Sequence, residues 1–393
     1  MSKKHPSKAI SEARGSASRP LHQLHVERIL GLVFAAGLFV GLLSCGKEDL
    51  RNGWDTLRGK EQEKGNASEQ TSEGSLGSFS VSRVGILRHV SEAGVWKATF
   101  TANARTVTLA GPERTFQEST ARDSVTHSTW VRSLSQPFQD EVDVKWLRAA
   151  LAANERSVPD HLAIGMQYIA GAKPKLDANR RQIAGDASYG PVGDDGVREL
   201  GSDVADYLRT KADVMSKTGT ASRVDNDVST AELLARRLSL DCSGFIRMVY
   251  GFRDAFAGSG YPLPYVLSGF SSNTHEGTST DSEGTENKTK LPRTAESLFL
   301  EGPGVVVIED SADARNRLGD LKPGDLLFFR ADETRDAQLD HVAIYLGLDD
   351  AKKRRFLSSR KSADGPTLGD TKGASTLDGT GLYARTFRAA RRF

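Results

Sequence analysis

The order of apolar and polar positions divides the chain into stretches of different character. Ile29 to Leu43 (ILGLVFAAGLFVGLL) is an unbroken apolar run that follows a segment carrying Lys3, Lys4, Lys8, Arg14, Arg19 and Arg28. A basic lead into an apolar core is the layout of a signal peptide. The core covers about 15 residues, short of the roughly 20 that a helix needs to cross a bilayer. Export followed by cleavage is therefore expected rather than a permanent span. Residues 46 to 78 are rich in Gly, Ser, Glu and Lys with almost no apolar periodicity, which predicts a flexible tether.

From Phe79 the pattern changes. Residues 96–101 and 105–109 favour β-formers on either side of an Asn-containing turn, and a hairpin is predicted. Helices are predicted over 144–153 and 161–170, with Trp146, Leu147, Ala150 and Leu151 recurring at helical spacing. His161 reads as a surface residue at a helix start. Residues 79 to 175 thus form a small α+β region. The stretch 186–241 is a polar, Gly-rich wrap with a short helical run at 231–238, and 269–290 is a low-complexity surface loop. No internal repeat is present.

Composition narrows the function classes. A chain of 393 residues holds two ordinary domains with hydrophobic cores. The formal net charge of +2 supplies no global basic field, so nucleic acid is a poor partner. The eight histidines are scattered and the cysteines number two, which leaves no metal-ligand cluster and no expected cofactor. Basic residues at 360–361 and in the tail 385–393 read as a solvated surface.

The two cysteines are Cys45 and Cys242. Leu42-Leu43-Ser44-Cys45-Gly46 resembles the lipobox of bacterial lipoproteins, which implies acylation of Cys45 and a mature chain that begins there. Two acyl chains on that residue give stable membrane anchoring where one is marginal. Cys242 is then an unpaired thiol in an exported protein. The bland alternatives are a signal-anchor end at Cys45, an inert buried Cys242, or a disulfide between them.

The chemistry concentrates around Cys242. Phe245, Met248, Val249, Phe252 and Phe256 fall at helical intervals, so a helix running from 242 to about 256 buries that stripe, with Asp241 as its N-cap. Cys242 in the first turn gains from unpaired N–H groups while the neighbouring Asp241 charge pushes the other way, so a base is needed, and a thiol activated by the helix terminus and His341 is expected below its free pKa of about 8.5. Lys322-Pro323-Gly324-Asp325 signals a turn into a strand at 326–329. The next strand, 341–347, places His341, Ala343 and Tyr345 on one face and Val342, Ile344 and Leu346 on the other. The second face is expected to be core and the first to open on a cleft. A third strand is expected at 354–359.

The order Asp241-Cys242-Ser243-Gly244, then Pro323-Gly324-Asp325-Leu326-Leu327-Phe328-Phe329, then Asp340-His341-Val342-Ala343-Ile344-Tyr345-Leu346-Gly347 resembles the NlpC-type family of papain-like cell-wall peptidases. The likeness covers roughly residues 235 to 360. It implies an α+β papain-like fold, in which the Cys-bearing helix packs on an antiparallel sheet, within a domain spanning 176–393. It also implies hydrolysis of amide bonds in peptidoglycan stem peptides through a thioester, with Cys242 as nucleophile and His341 as base. Aligning 356–360 with the following strand puts Ser358 where the family often has a His that orients the imidazole. Family members often carry a Tyr just before the Cys motif, and here the nearest, Tyr189, is far away in sequence. The competing reading is a silent lipoprotein that keeps this fold to bind wall peptides or a protein partner.

Overall fold

The computed structural model describes residues 74–177, 180–192, 202–211, 230–253, 291–332 and 338–393, within one compact unit, Gln70–Phe393. Cys45, the leader, Phe256, His275 and the loop 269–290 lie outside the described residues. The chain is an α+β protein whose named strands pair antiparallel throughout the described residues. No described helix is long and apolar enough to cross a membrane.

The first sheet is a meander of six strands in chain order: β1 (Gly74–Leu76), β2 (Phe79–Val84), β3 (Leu87–Glu92), β4 (Val95–Thr101), β5 (Thr106–Phe116) and β6 (Val125–Ser133). The expected hairpin is β4–β5, with Ala98 opposite Leu109. Phe79, Val90, Phe100, Leu109 and Trp130 line its buried side, closed by Leu147 and Ala150 of α1 (Val144–Glu155). Asp143 starts α1 by accepting the N–H groups of Lys145 and Trp146 at 2.9 and 3.0 Å. At 161–170, helix α2 (His161–Gly165) gives way to a tighter turn at Met166–Tyr168.

His161 is a correction to the surface reading. Its ring is buried, stacks on Tyr250 at a centroid distance of 4.5 Å and lies 2.7 Å from Ser133 Oγ. The helix it opens is covered on both sides, which one-dimensional periodicity did not reveal.

A short pair, β7 (Lys175–Leu176) and β8 (Gln182–Ala184), leads to helices α3 (Val204–Tyr207), α4 (Thr230–Arg236) and α5 (Cys242–Arg247). A π-helical turn, Met248–Phe252, prolongs α5. After α6 (Ala295–Leu300) come β9 (Val305–Ile308), β10 (Leu326–Phe329), β11 (His341–Leu348), β12 (Arg354–Arg360), β13 (Gly365–Thr367), α7 (Leu382–Thr386) and β14 (Phe387–Arg392). These strands build a second six-stranded sheet in the order β13-β12-β11-β10-β14-β9. One face carries Val342, Ile344 and Leu346 and packs on Phe245, Ile246 and Val249.

The other face of β11 is not an open cleft. Ala343 and Tyr345 are buried there with Phe329, Phe356, Tyr383 and Phe387. Leu318, Leu377 and, from α7, Tyr383 supply that second apolar layer, and the reading of the tail as a solvated basic surface fails at Arg391 and Arg392, while Arg385 is exposed as expected. Arg391 donates to the carbonyls of Phe299 and Pro303 at 2.6 and 2.9 Å, quenching acceptors left at the end of α6. Arg392 is buried, makes two 2.7 Å bonds to Asp325 and reaches Thr101 Oγ1 at 3.0 Å. The Phe393 carbonyl accepts from the Arg105 and Thr106 N–H groups at 2.9 and 2.6 Å. The end of β14 therefore joins the first sheet to the second. His127 Nε2 beside the Leu346 carbonyl at 2.9 Å adds a second tie.

Two outcomes are expected. Arg392→Ala leaves Asp325 buried without its cation and should cost about 3–5 kcal/mol, read as a lower urea midpoint. Burial lowers His161 from 6.5 to about 4. The unfolded chain therefore takes up that proton first, so the His161 contribution is full above pH 6.5 and is lost as the pH falls toward 4. Denaturation between neutral pH and about pH 5 should show the decline, to which the buried His341 also contributes, and His161→Gln should make it shallower.

Candidate functional site

Cys242 opens α5 because Asp241, in extended conformation, turns its carboxylate back onto the Gly244 N–H at 2.7 Å. Gly244 is required by crowding: a Cβ there would lie 2.6 Å from the Ser202 carbonyl oxygen. The whole turn is inside the protein, and Cys242 is 6% exposed and carries a free thiol. Its Sγ stands 3.8 Å from the carbonyl oxygen of Asp340, the residue before β11. On the other side of His341, the Val342 N–H also points to the sulfur and favours its charged form. The thiol thus rests against the backbone on either side of His341.

His341 heads β11 opposite Phe329 of β10 and is 7% exposed. Its ring is walled by Phe329 and Tyr383, with centroids at 5.8 and 5.3 Å. Nε2 lies 3.2 Å from Oγ of Ser358, a wholly buried residue of β12. The neighbouring Ser359 Oγ donates to the Leu240 carbonyl, so β12 also braces the chain just before Cys242.

Electrostatics reverse one expectation from the sequence. Burial pushes the Cys242 thiol up to about 12, with the Asp241 charge adding to it, while the Val342 N–H, Arg293 and the Ser243 N–H pull it down by less. The expectation of a thiol below 8.5 fails because a closed first turn excludes the water that would solvate a thiolate. Burial likewise lowers His341 to about 3, helped by Arg360 and opposed by Asp241. At neutral pH Cys242 is a thiol and His341 an uncharged imidazole, and no hydrogen bond joins the two side chains: the sulfur meets the Asp340 carbonyl and the ring meets Ser358. An uncharged imidazole with Nε2 engaged by a hydroxyl is a competent proton acceptor.

Several residues reach this place from distant parts of the chain. Tyr189 is the clearest. Ser188 bridges to Ser239, donating to the Leu238 carbonyl at 2.9 Å and accepting from the Leu240 N–H at 2.8 Å. That pairing carries the next residue, Tyr189, to the neighbourhood of Cys242, where burial first and then the sulfur and Asp241 hold its phenol protonated. The distance in sequence was misleading because a backbone bridge spans it. Tyr383 of α7 is buried against His341, with the Arg360 guanidinium 5.6 Å from its ring centre. Arg293 donates to Asp241 Oδ2 at 2.6 Å and to Ser243 Oγ at 2.7 Å.

Among the described residues no group of three or more His, Cys, Asp or Glu side chains is arranged to hold a metal ion. No family model and no curated protein matches this chain.

Proposed function

We propose that the protein is a cysteine hydrolase of papain-like fold, with Cys242 as nucleophile, His341 as base and Ser358 as the residue that orients the ring. The observation that carries this reading is the seating of the only described thiol against Asp340 O at 3.8 Å, beside a histidine whose Nε2 meets Ser358 Oγ at 3.2 Å. The substrate class, an amide bond of a peptidoglycan stem peptide, follows from the likeness of the three motifs to NlpC-type peptidases.

In this mechanism the imidazole accepts the thiol proton as the sulfur attacks the amide carbonyl. The oxyanion turns toward backbone N–H groups of the first turn of α5, including that of Cys242. Collapse of the tetrahedral adduct breaks the C–N bond, and the imidazolium returns its proton to the leaving amine. Water then hydrolyses the thioester, with His341 accepting its proton, and the thiol is restored. Substrate binding must supply the driving force for the first proton transfer, since the resting pair is uncharged. Ser358 offers one hydrogen bond and no charge, so it stabilises the imidazolium less than a carboxylate would.

A second reading keeps the fold as a silent module that binds wall peptides or a protein partner. The burial of the thiol and the uncharged third residue favour it. In either case the leader places the protein outside the cytoplasm, anchored to a membrane through lipid on Cys45.

Purified wall fragments digested with the protein and examined by mass spectrometry separate the two readings. New amine and carboxyl ends are expected from the wild type. His341→Ala should lower the rate by roughly 10²–10⁴, and Ser358→Ala by about tenfold or less, near the worth of one hydrogen bond. Iodoacetamide labelling of Cys242 should be slow at neutral pH and should keep rising past pH 9, as a thiol held near 12 requires. Absence of cleavage by wild type, with Cys242 intact, would select the binding module. For the anchor, Cys45→Ala should move the protein from the membrane fraction to the soluble one or stall its processing, as read by fractionation and blotting.

A further inference from the structure

The turn beside the thiol holds a closed set of charges that the steps above do not use. Asp241 is buried and both of its oxygens are occupied. Oδ1 accepts from the Gly244 N–H at 2.7 Å and from Arg293 Nη1 at 3.1 Å, while Oδ2 accepts from Arg293 Nη2 at 2.6 Å. The same guanidinium donates to Ser243 Oγ at 2.7 Å and to the Ser202 carbonyl at 3.2 Å. Its Nε faces Asp203 Oδ2 at 3.7 Å, and Asp203 is also paired with Arg247 of α5. Two carboxylates share two guanidinium groups, so the cluster is neutral without any contribution from Cys242.

Neutrality matters because Asp241 is the residue next to the sulfur. A bare carboxylate there opposes a second negative charge, and in a site closed to water the opposition is weakly screened. Arg293 comes from the segment just before α6, far from α5 in sequence, and grips three consecutive features of the nucleophile turn: the Asp241 carboxylate, the Ser243 hydroxyl and the Ser202 carbonyl packed on Gly244.

We propose that Arg293 is a positioning residue for Cys242: it neutralises the N-cap carboxylate beside the sulfur and clamps the first turn of α5, so that the thiolate can form there. This rests on reading Cys242 as the nucleophile and not on the identity of the substrate. The other groups that face the sulfur are the Asp340 carbonyl just before β11, Tyr189 from the bridged segment and Tyr383 from α7. Among these, Arg293 is the group that pairs directly with Asp241.

The test follows alkylation of Cys242 by iodoacetamide against pH in the full chain, in wild type, Arg293→Met, Asp241→Asn and the double variant. Arg293→Met should slow alkylation by about tenfold or more at mildly alkaline pH, because it leaves the carboxylate bare beside the sulfur. Adding Asp241→Asn should restore most of the lost rate, since the charge that Arg293 balanced is then gone. A profile for Arg293→Met that overlays the wild type would overturn the proposal, as would a double variant no faster than Arg293→Met. If Arg293→Met does not fold, Arg293→Gln replaces it: this variant keeps hydrogen-bond donors but drops the charge and should also slow alkylation by about tenfold, and a profile that overlays the wild type would refute the charge-balancing role. No substrate enters this assay. A failed alkylation pattern therefore counts against Arg293, whereas an intact pattern without wall cleavage counts against the substrate class.

Discussion

Burial of the β10–β11–β12 strands on both faces is the constraint from which the remaining features follow. Phe245, Ile246 and Val249 cover one side, and Leu318, Leu377 and Tyr383 cover the other. A sheet enclosed in this way has no solvent to satisfy its polar side chains, so each must find a partner within the fold. Arg355, almost wholly buried, is paired with Asp349 and Asp370. Arg392 is paired with Asp325, and Arg360 donates to the carbonyls of Gly373 and Gly369. Such pairs are costly to break one partner at a time, which makes them registration devices for the segments they join.

The same enclosure sets the chemistry. Cys242 and His341 are both drawn toward their uncharged forms because their surroundings solvate charge poorly. An exposed cysteine–histidine pair gains from forming an ion pair at rest, whereas this one stays neutral until something else lowers the cost of separation. The groups positioned to do so are the Val342 and Ser243 N–H groups and Arg293, each of which favours the thiolate.

The two sheets are coupled through the end of the chain. β14 lies between β10 and β9, while Arg392 and the Phe393 carbonyl bond to Asp325, Thr101, Arg105 and Thr106. Glu118, from the first half of the chain, accepts from Thr367 and from the Leu368 N–H at the edge strand β13. Both ends of the second sheet are thus braced by residues of the first half, and the first sheet helps hold the strands that carry His341 and Ser358.

Much of the local structure was legible in the residues themselves. The apolar stripe after Cys242, the N-cap at Asp241 and the strands at 326–329, 341–348 and 354–360 follow from periodicity and capping, because those signals arise within one turn or one strand. The resemblance to a known family suggested Ser358 as the neighbour of the His341 ring, and the two side chains meet at 3.2 Å. Solvent exposure was not legible. Arg392 in the basic tail, His161 and the Ala343–Tyr345 face all read as exposed, and each is buried against segments remote in sequence. Arg293 carried no local signal, and the placing of Tyr189 near Cys242 was not legible either, since a guanidinium reaching across to Asp241 and a bridge from Ser188 to Ser239 are contacts between distant parts of the chain. Residue types and periodicity decide which side chains can do chemistry here; tertiary packing alone decides how much water surrounds them, and the protonation of Cys242 and His341 follows from that water.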